Sequence, residues 1–143
     1  MKIIIWGIAL GLLLYGEVQA KELAIIVNKS YPPNSITIGI LKDIYRGEKR
    51  TEGPLKIRPT DQTESAIQKK FLEKALSTTV DSYNSYWIKK IFQDGGVPPA
   101  KKKSSSEVIE AVSQEAGAIG YAWKNEVEGK GEIKVLLTLE AGD

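Results

Sequence analysis

Cysteine and histidine are both absent from this chain of 143 residues, and each absence closes off chemistry. Without cysteine no disulfide can staple the fold, and no residue can carry the lipid of a bacterial lipoprotein. Without histidine, Ser-His and Cys-His nucleophile pairs, imidazole bases and most zinc sites are excluded. An excess of one charge is also missing. Lys and Arg number 20 against 18 Asp and Glu, a net charge of +2, too little to argue for a nucleic-acid partner. The one basic run is Lys101-Lys102-Lys103, which reads as a solvated loop and more weakly as a dock for an acidic partner. Nothing implies a metal or a cofactor. The fold must rest on a hydrophobic core, and a chain of this length can bury one as a single domain.

Long hydrophobic runs are scarce too. Lys2 precedes an apolar stretch from Ile3 to Tyr15, and Gly16-Glu17-Val18-Gln19-Ala20 follows. A bilayer needs about 20 apolar residues, so the stretch is short for an anchor. The charged start, short apolar middle and Val18-x-Ala20 exit form the pattern of a cleaved secretory signal. Residues 1–20 are therefore expected to be a signal peptide and residues 21–143 a single periplasmic domain, with no membrane insertion after cleavage. An uncleaved anchor is the competing reading.

In the remaining chain, Leu23-Ala24-Ile25-Ile26-Val27 is a continuous apolar run, the mark of a strand buried on both faces as in a parallel sheet. Thr37 caps an expected helix to Arg46, with Ile40, Leu41, Ile44 and Tyr45 inward and Gly47 closing it. Leu55–Arg58 reads as a short strand ended by Pro59. Ser65 and Gln68 have capping-box spacing, ahead of Ile67, Phe71, Leu72 and Ala75. Thr79 caps the next helix, where Val80, Tyr83, Trp87 and Ile91 share a face that Tyr86, Ile88 and Phe92 widen. Gly95-Gly96 and Pro98-Pro99 end it. Ser104 to Glu107 offers a second capping box, before Val108, Ile109, Ala111 and Val112. Gly117 stops that helix. Ala118–Ala122 and Ile133–Leu139 read as strands. Alternation of strands and helices predicts an α/β fold with a mainly parallel sheet flanked by helices. The expected core includes Ile25, Ile26, Ile44, Phe71, Trp87, Ile91, Val112 and Ile119.

Ala24 to Ser30, the helix ending Ile44-Tyr45-Arg46-Gly47, and Ala118-Ile119-Gly120-Tyr121 together resemble the second lobe of phosphate ABC-transporter substrate-binding proteins. Tyr86-Trp87, Ile91-Phe92 and Pro98-Pro99 resemble short, single-lobe members of the same superfamily. The resemblance implies a single lobe of a type II periplasmic-binding-protein fold. Full-length members hold ligand in a cleft between two lobes. Here the first strand begins just after the expected signal, so the chain is expected to have only the one lobe.

In the larger phosphate binders, the resemblance further implies, an Arg, an Asp and a Ser-Gly-Thr turn precede a helix and hold the anion. Arg58 and Asp61 are the counterparts here. The turn has become Ser65-Ala66-Ile67, which loses a glycine and a hydroxyl. Arg58, Asp61, Thr63 and Ser65 form the candidate oxyanion site. Simpler roles stand beside it: Ser65 as a helix cap, and Arg58 as a surface partner of Glu64 or Asp61. Lys29 and Ser30, at the end of the first strand, join the candidates because open α/β sheets bind ligands at strand ends; they also suit an ordinary polar loop. Gly120 marks a close approach, most simply of a helix. Tyr83, Tyr86 and Trp87 read as core rather than as a stacking platform. Asp61 with Glu64 and Glu107 with Glu110 are the available acid/base pairs, and neither has a catalytic pattern.

The chain therefore reads as a non-enzymatic, exported substrate-binding-type module taking phosphate or a related oxyanion for uptake or sensing. The alternative is a solitary-lobe interaction module of an envelope system, with an envelope protein or a second copy as partner. Intact mass of protein from the periplasm should correspond to Lys21–Asp143. A membrane-bound product retaining Met1–Ala20 would establish the anchor instead.

Overall fold

The computed structural model describes residues 21–142; the signal or anchor at Met1–Ala20 lies outside the described residues. The first strand, β1, is Glu22–Asn28 and has a neighbour on each side. Leu23, Ile25 and Val27 pack into one core and Ala24 and Ile26 into another, all without solvent contact. This is the period-two alternation of a strand covered on both faces. Each fully buried Leu, Ile or Val contributes about 1.5–3 kcal/mol over its exposed state.

The sheet has the order β5 (Ala100–Lys102), β4 (Arg58–Gln62), β6 (Ala118–Trp123), β1 and β7 (Ile133–Glu140). β4 is parallel to β5 and β6, whereas β1 is antiparallel to both β6 and β7. The sheet is thus mainly parallel in direction, with β1 alone reversed between its neighbours. A separate hairpin, β2 (Thr51–Glu52) and β3 (Leu55–Lys56), precedes β4. The larger core joins one face to α1 (Ile38–Tyr45), α2 (Ser65–Leu76) and α3 (Val80–Asp94). The smaller one covers the other face with α4 (Ser105–Gln114) and the short α5 (Lys124–Val127), for which no helix was expected. On that face β6 offers only Ala118, Gly120 and Ala122. A Cβ on Gly120 would overlap Thr60 and Val108, so the glycine lets α4 lie close.

Local rules place most helix ends. Thr37 Oγ1 accepts from Ile40 N, Thr79 Oγ1 from Ser82 N and Ser104 Oγ from Glu107 N, each at 3.2 Å. Glu107 returns a bond to the backbone N–H of Lys103 at 2.7 Å. Gly47 and Gly95 take φ of 74° and 64° after α1 and α3, the left-handed position that suits glycine. At α2 the expectation fails: Glu64 is the N-cap, no side chain caps the helix, and Ser65 is its first residue. The Gln68 amide that would complete a capping box is turned inward and donates to Asp61 Oδ2 at 3.3 Å.

Three further expectations change. Pro59 does not end its strand. Arg58 N donates to Gly117 O on the β6 side, so by strand alternation Pro59 faces the β5 side. Pairing with β5 starts only at Thr60, and no ladder bond is lost to the missing N–H. Lys101 and Lys102 belong to edge strand β5 rather than to a loop. Finally, the wide apolar face of α3 is only partly used. Tyr83 and Trp87 are buried, but Ile91 is 43% and Phe92 86% exposed, and Ile88 is exposed too. Ile40 on α1 is likewise exposed. The contacts of α3 explain its narrow stripe. Tyr83 and Tyr86 hydroxyls donate to Tyr45 O and Arg46 O, both at 2.7 Å, which satisfies carbonyls at the end of α1. The Trp87 ring lies against Gly47 and Gly96.

Trp87→Ala should destabilise the fold by about 3–5 kcal/mol, the range for a buried large aromatic. Ile91→Ala should cost under about 1 kcal/mol. Urea denaturation of both variants checks this, and equal losses would show that the buried face of α3 is wrongly placed.

Candidate functional site

The six candidate residues divide between opposite ends of the sheet. β4 is extended, so Arg58 at its start stands about 10 Å along the strand from Asp61. Thr63 and Ser65 follow Asp61 toward α2. Because β1 runs the other way, Lys29 and Ser30 at its end fall on the Arg58 side: Val27 and Pro59 both stand level with Ile119. Asp61, Thr63 and Ser65 thus lie toward the α2 end of β4, with Asp61 buried and the two hydroxyls exposed, while Arg58, Lys29 and Ser30 lie toward the other end. Arg58 approaches Glu115, Nε to Oε2 3.8 Å, rather than Glu64 or Asp61. Lys29 pairs with Glu132 at 3.2 Å, and Ser30 N donates to Asn28 Oδ1 at 2.9 Å.

Asp61 is 2% exposed and its bonds are internal. Oδ1 accepts from the Tyr121 hydroxyl and, at 2.8 Å, from Gln62 N, while Oδ2 accepts from Gln68. Tyr121 stacks on Phe71 with centroids 3.9 Å apart, and Tyr45 meets Phe71 edge-on at 4.8 Å. Burial, reinforced by the neighbouring Asp61, pushes the Tyr121 and Tyr45 hydroxyls well above the ordinary tyrosine range. Burial also raises Tyr83. Gln62 is fully buried, with Nε2 donating to Tyr121 O at 2.7 Å and Ser105 Oγ at 3.1 Å. Its Oε1 has no partner among the described residues. Sequence reasoning missed Gln62, Gln68, Ser105 and Tyr121. The one available signal was the polar pair Asp61-Gln62 placed where a buried strand continues.

Beyond this network α2 begins with its leading N–H groups uncapped, at the carboxyl end of β4. Such an end carries a partial positive charge and unpaired donors suited to an anion. Thr63 and Ser65, both exposed, add hydroxyls. Thr63 N donates to Lys102 O at 2.8 Å, and Gln62 pairs with Lys102 in the ladder. The backbone of Lys102 therefore borders this end, while Arg58 stands at the other end of the strand. Acid/base chemistry finds little support. Asp61 is enclosed, and Glu107 serves its own helix start. No cluster of metal-ligating side chains occurs among the described residues, and no helix there is long and apolar enough to cross a membrane.

No family model matches the sequence, and no curated protein matches it. Solved structures do match the fold. An ABC-type phosphate transport receptor from Vibrio cholerae superposes with a TM-score of 0.62 at 19% identity, over 81% of this chain and 45% of that one. PstS from Borrelia burgdorferi gives 0.60 at 24% identity, over 81% and 46%. A phosphate ABC transporter substrate-binding protein from Clostridium perfringens, solved with bound phosphate, gives 0.59 at 20% identity, over 81% and 44%. The chain thus has the fold of one part of these proteins and spans less than half of their length.

The buried tyrosines set an alkaline limit. Their folded pKa values lie above the unfolded value of about 10. The stability they confer is complete below that pH and falls as pH rises past it, by up to about 1.4 kcal/mol per pH unit for each tyrosine. Tyrosinate absorbance from Tyr45, Tyr83 and Tyr121 should appear together with loss of circular dichroism, not before it. Tyr121→Phe should cost about 1–3 kcal/mol at neutral pH, because Asp61 and Gln62 N lose a partner, and should flatten the alkaline slope.

Proposed function

We propose that the chain is a substrate-binding-type module that holds a small oxyanion, phosphate by resemblance, at the start of α2. It would serve uptake or sensing in the cell envelope after export, and has no catalytic role. The uncapped N-terminus of α2, flanked by Thr63 and Ser65, carries the reading. The fold shared with a phosphate-bound structure supports it. In this reading Lys102 and Lys103 supply the positive charge, and Asp61 acts from behind by shaping the β4–α2 corner. A site open to water on one side leaves its ligand partly hydrated, so affinity should be far below that of a closed cleft. A second surface, from a partner chain or another copy, would close it.

A second reading is favoured by different observations. Asp61 is committed to interior bonds, Arg58 stands elsewhere, and Ile88, Phe92 and Val97 present apolar surface on and after α3. These suit an envelope interaction module that binds no oxyanion.

Calorimetric titration of the purified protein with phosphate and sulfate, repeated across protein concentrations, separates the two. The first reading expects weak, salt-sensitive phosphate binding. Thr63→Ala with Ser65→Ala should weaken it by about thirty-fold, since each charge-assisted hydrogen bond contributes roughly 1 kcal/mol at a wet site. Arg58→Ala should leave the isotherm unchanged. Absence of heat from either anion at every protein concentration would favour the interaction module.

A further inference from the structure

At the other end of β4, the hairpin β2–β3, the end of α1 and the end of α3 enclose a cavity of about 380 Å³. Its walls carry Lys49, Arg50, Lys56, Arg58 and Lys90 against a single acid, Asp94. Helix ends account for part of this excess. Lys49 follows α1, where exposed carbonyls favour a cation, whereas Lys90 precedes the last turn of α3. That explanation does not reach Arg50, which precedes the hairpin, or Lys56 and Arg58, which belong to β3 and β4. Lys49 pairs with Glu52 at 3.4 Å, and Arg58 has the loose contact to Glu115. Arg50, Lys56 and Lys90 have no carboxylate partner among the described residues.

Beneath the cations the lining is apolar: Ile44, Ile57, Pro59 and Trp87, with Val97 and Pro98 on one side. The six-membered ring of Trp87 forms a fixed part of it. A Cβ on Gly47 would stand 2.8 Å from Trp87 Cη2, and one on Gly96 3.3 Å from Cζ3, so two glycines press backbone on the ring edge. An apolar floor with a one-signed charged rim is complementary to a molecule with the same division.

The geometry points to this cavity as a binding site for a small amphipathic organic anion, with its apolar body over Trp87 and Ile57 and its carboxylate, sulfonate or phosphate head toward Arg50, Lys56 and Arg58. The volume lies within the range of about 300–1,000 Å³ usual for small-molecule sites. The rim cations are solvated, so each contributes little and is screened by salt. Apolar contact with Pro59, Val97 and the accessible edge of Trp87 must supply the remainder. The cavity is separated from the start of α2 by the length of β4, so this site does not depend on the oxyanion reading.

Anilinonaphthalene sulfonate tests the site, with neutral N-phenylnaphthylamine as its uncharged counterpart. One sulfonate should bind per chain, about ten-fold more tightly than the neutral probe, and added salt should erode the difference. In a proton–nitrogen correlation spectrum the indole signal of Trp87, identified by its loss in Trp87→Phe, should move while that of Trp123 stays. The double variant Lys56→Glu, Arg58→Glu should weaken sulfonate binding by about ten-fold or more, with an unchanged phosphate isotherm. If charge reversal unfolds the protein, Lys56→Gln with Arg58→Gln replaces it and should give a smaller loss in the same direction. Phe92→Ser should leave binding intact. Equal binding of the neutral probe, a stationary Trp87 signal, indifference to both double variants, or loss of binding in Phe92→Ser would each overturn the assignment.

Discussion

Asp61 joins the sheet to the helices above it, and the shape of both ends of β4 follows from how its carboxyl is satisfied. A carboxyl that deep costs several kcal/mol unless its lone pairs are filled. Three donors fill them, one each from β6, β4 and α2. The rings of Tyr45, Phe71 and Tyr121 close around the group, and the Tyr45 hydroxyl donates to Thr60 O at 2.7 Å. The strand is thereby held one residue before the carboxyl. Beside it α2 begins without a side-chain cap, with Glu64 at the N-cap. Gln68, one turn further on, is committed to the interior through Asp61.

The direction of β1 decides which polar residues meet. Had β1 run parallel to β6, Lys29 and Ser30 would have emerged beside Thr63 and Ser65. Antiparallel pairing puts them at the far end, with Arg58. The backbone of Lys102 borders the start of α2, while Arg50, Lys56 and Arg58 gather at the start of β4.

Much of this was legible in the residues, for identifiable reasons. Thr37, Thr79 and Ser104 act through contacts three residues away, and Gly47 and Gly95 through their own backbone angles; local sequence suffices for both. The run Leu23–Val27 announces burial on two faces, because no polar side exists to meet water. It does not announce direction, since parallel and antiparallel central strands bury the same atoms. Ser65 was misplaced because its capping-box partner had a tertiary use invisible from spacing. Ile91 was assigned inward because the apolar face of α3 is wider than the stripe its neighbours cover. The candidate site was the least legible part. Arg58 and Asp61 can meet one ligand if the segment is a loop, but an extended strand through Pro59 holds them apart.

The order in which the pieces become available is set by the same central strand. β1 precedes the other described strands in the sequence, yet its partners are the last two of them, with Glu22 opposite Glu140 and Leu23 opposite Trp123. Roughly a hundred residues must appear before either edge of β1 can be paired, and at about 5–20 residues per second that takes several seconds. Helices α1 to α3 can form in that interval, but the sheet they pack on cannot. Completion of this sheet is therefore tied to the synthesis of β6 and β7, and both edges of β1 lack their partners until then.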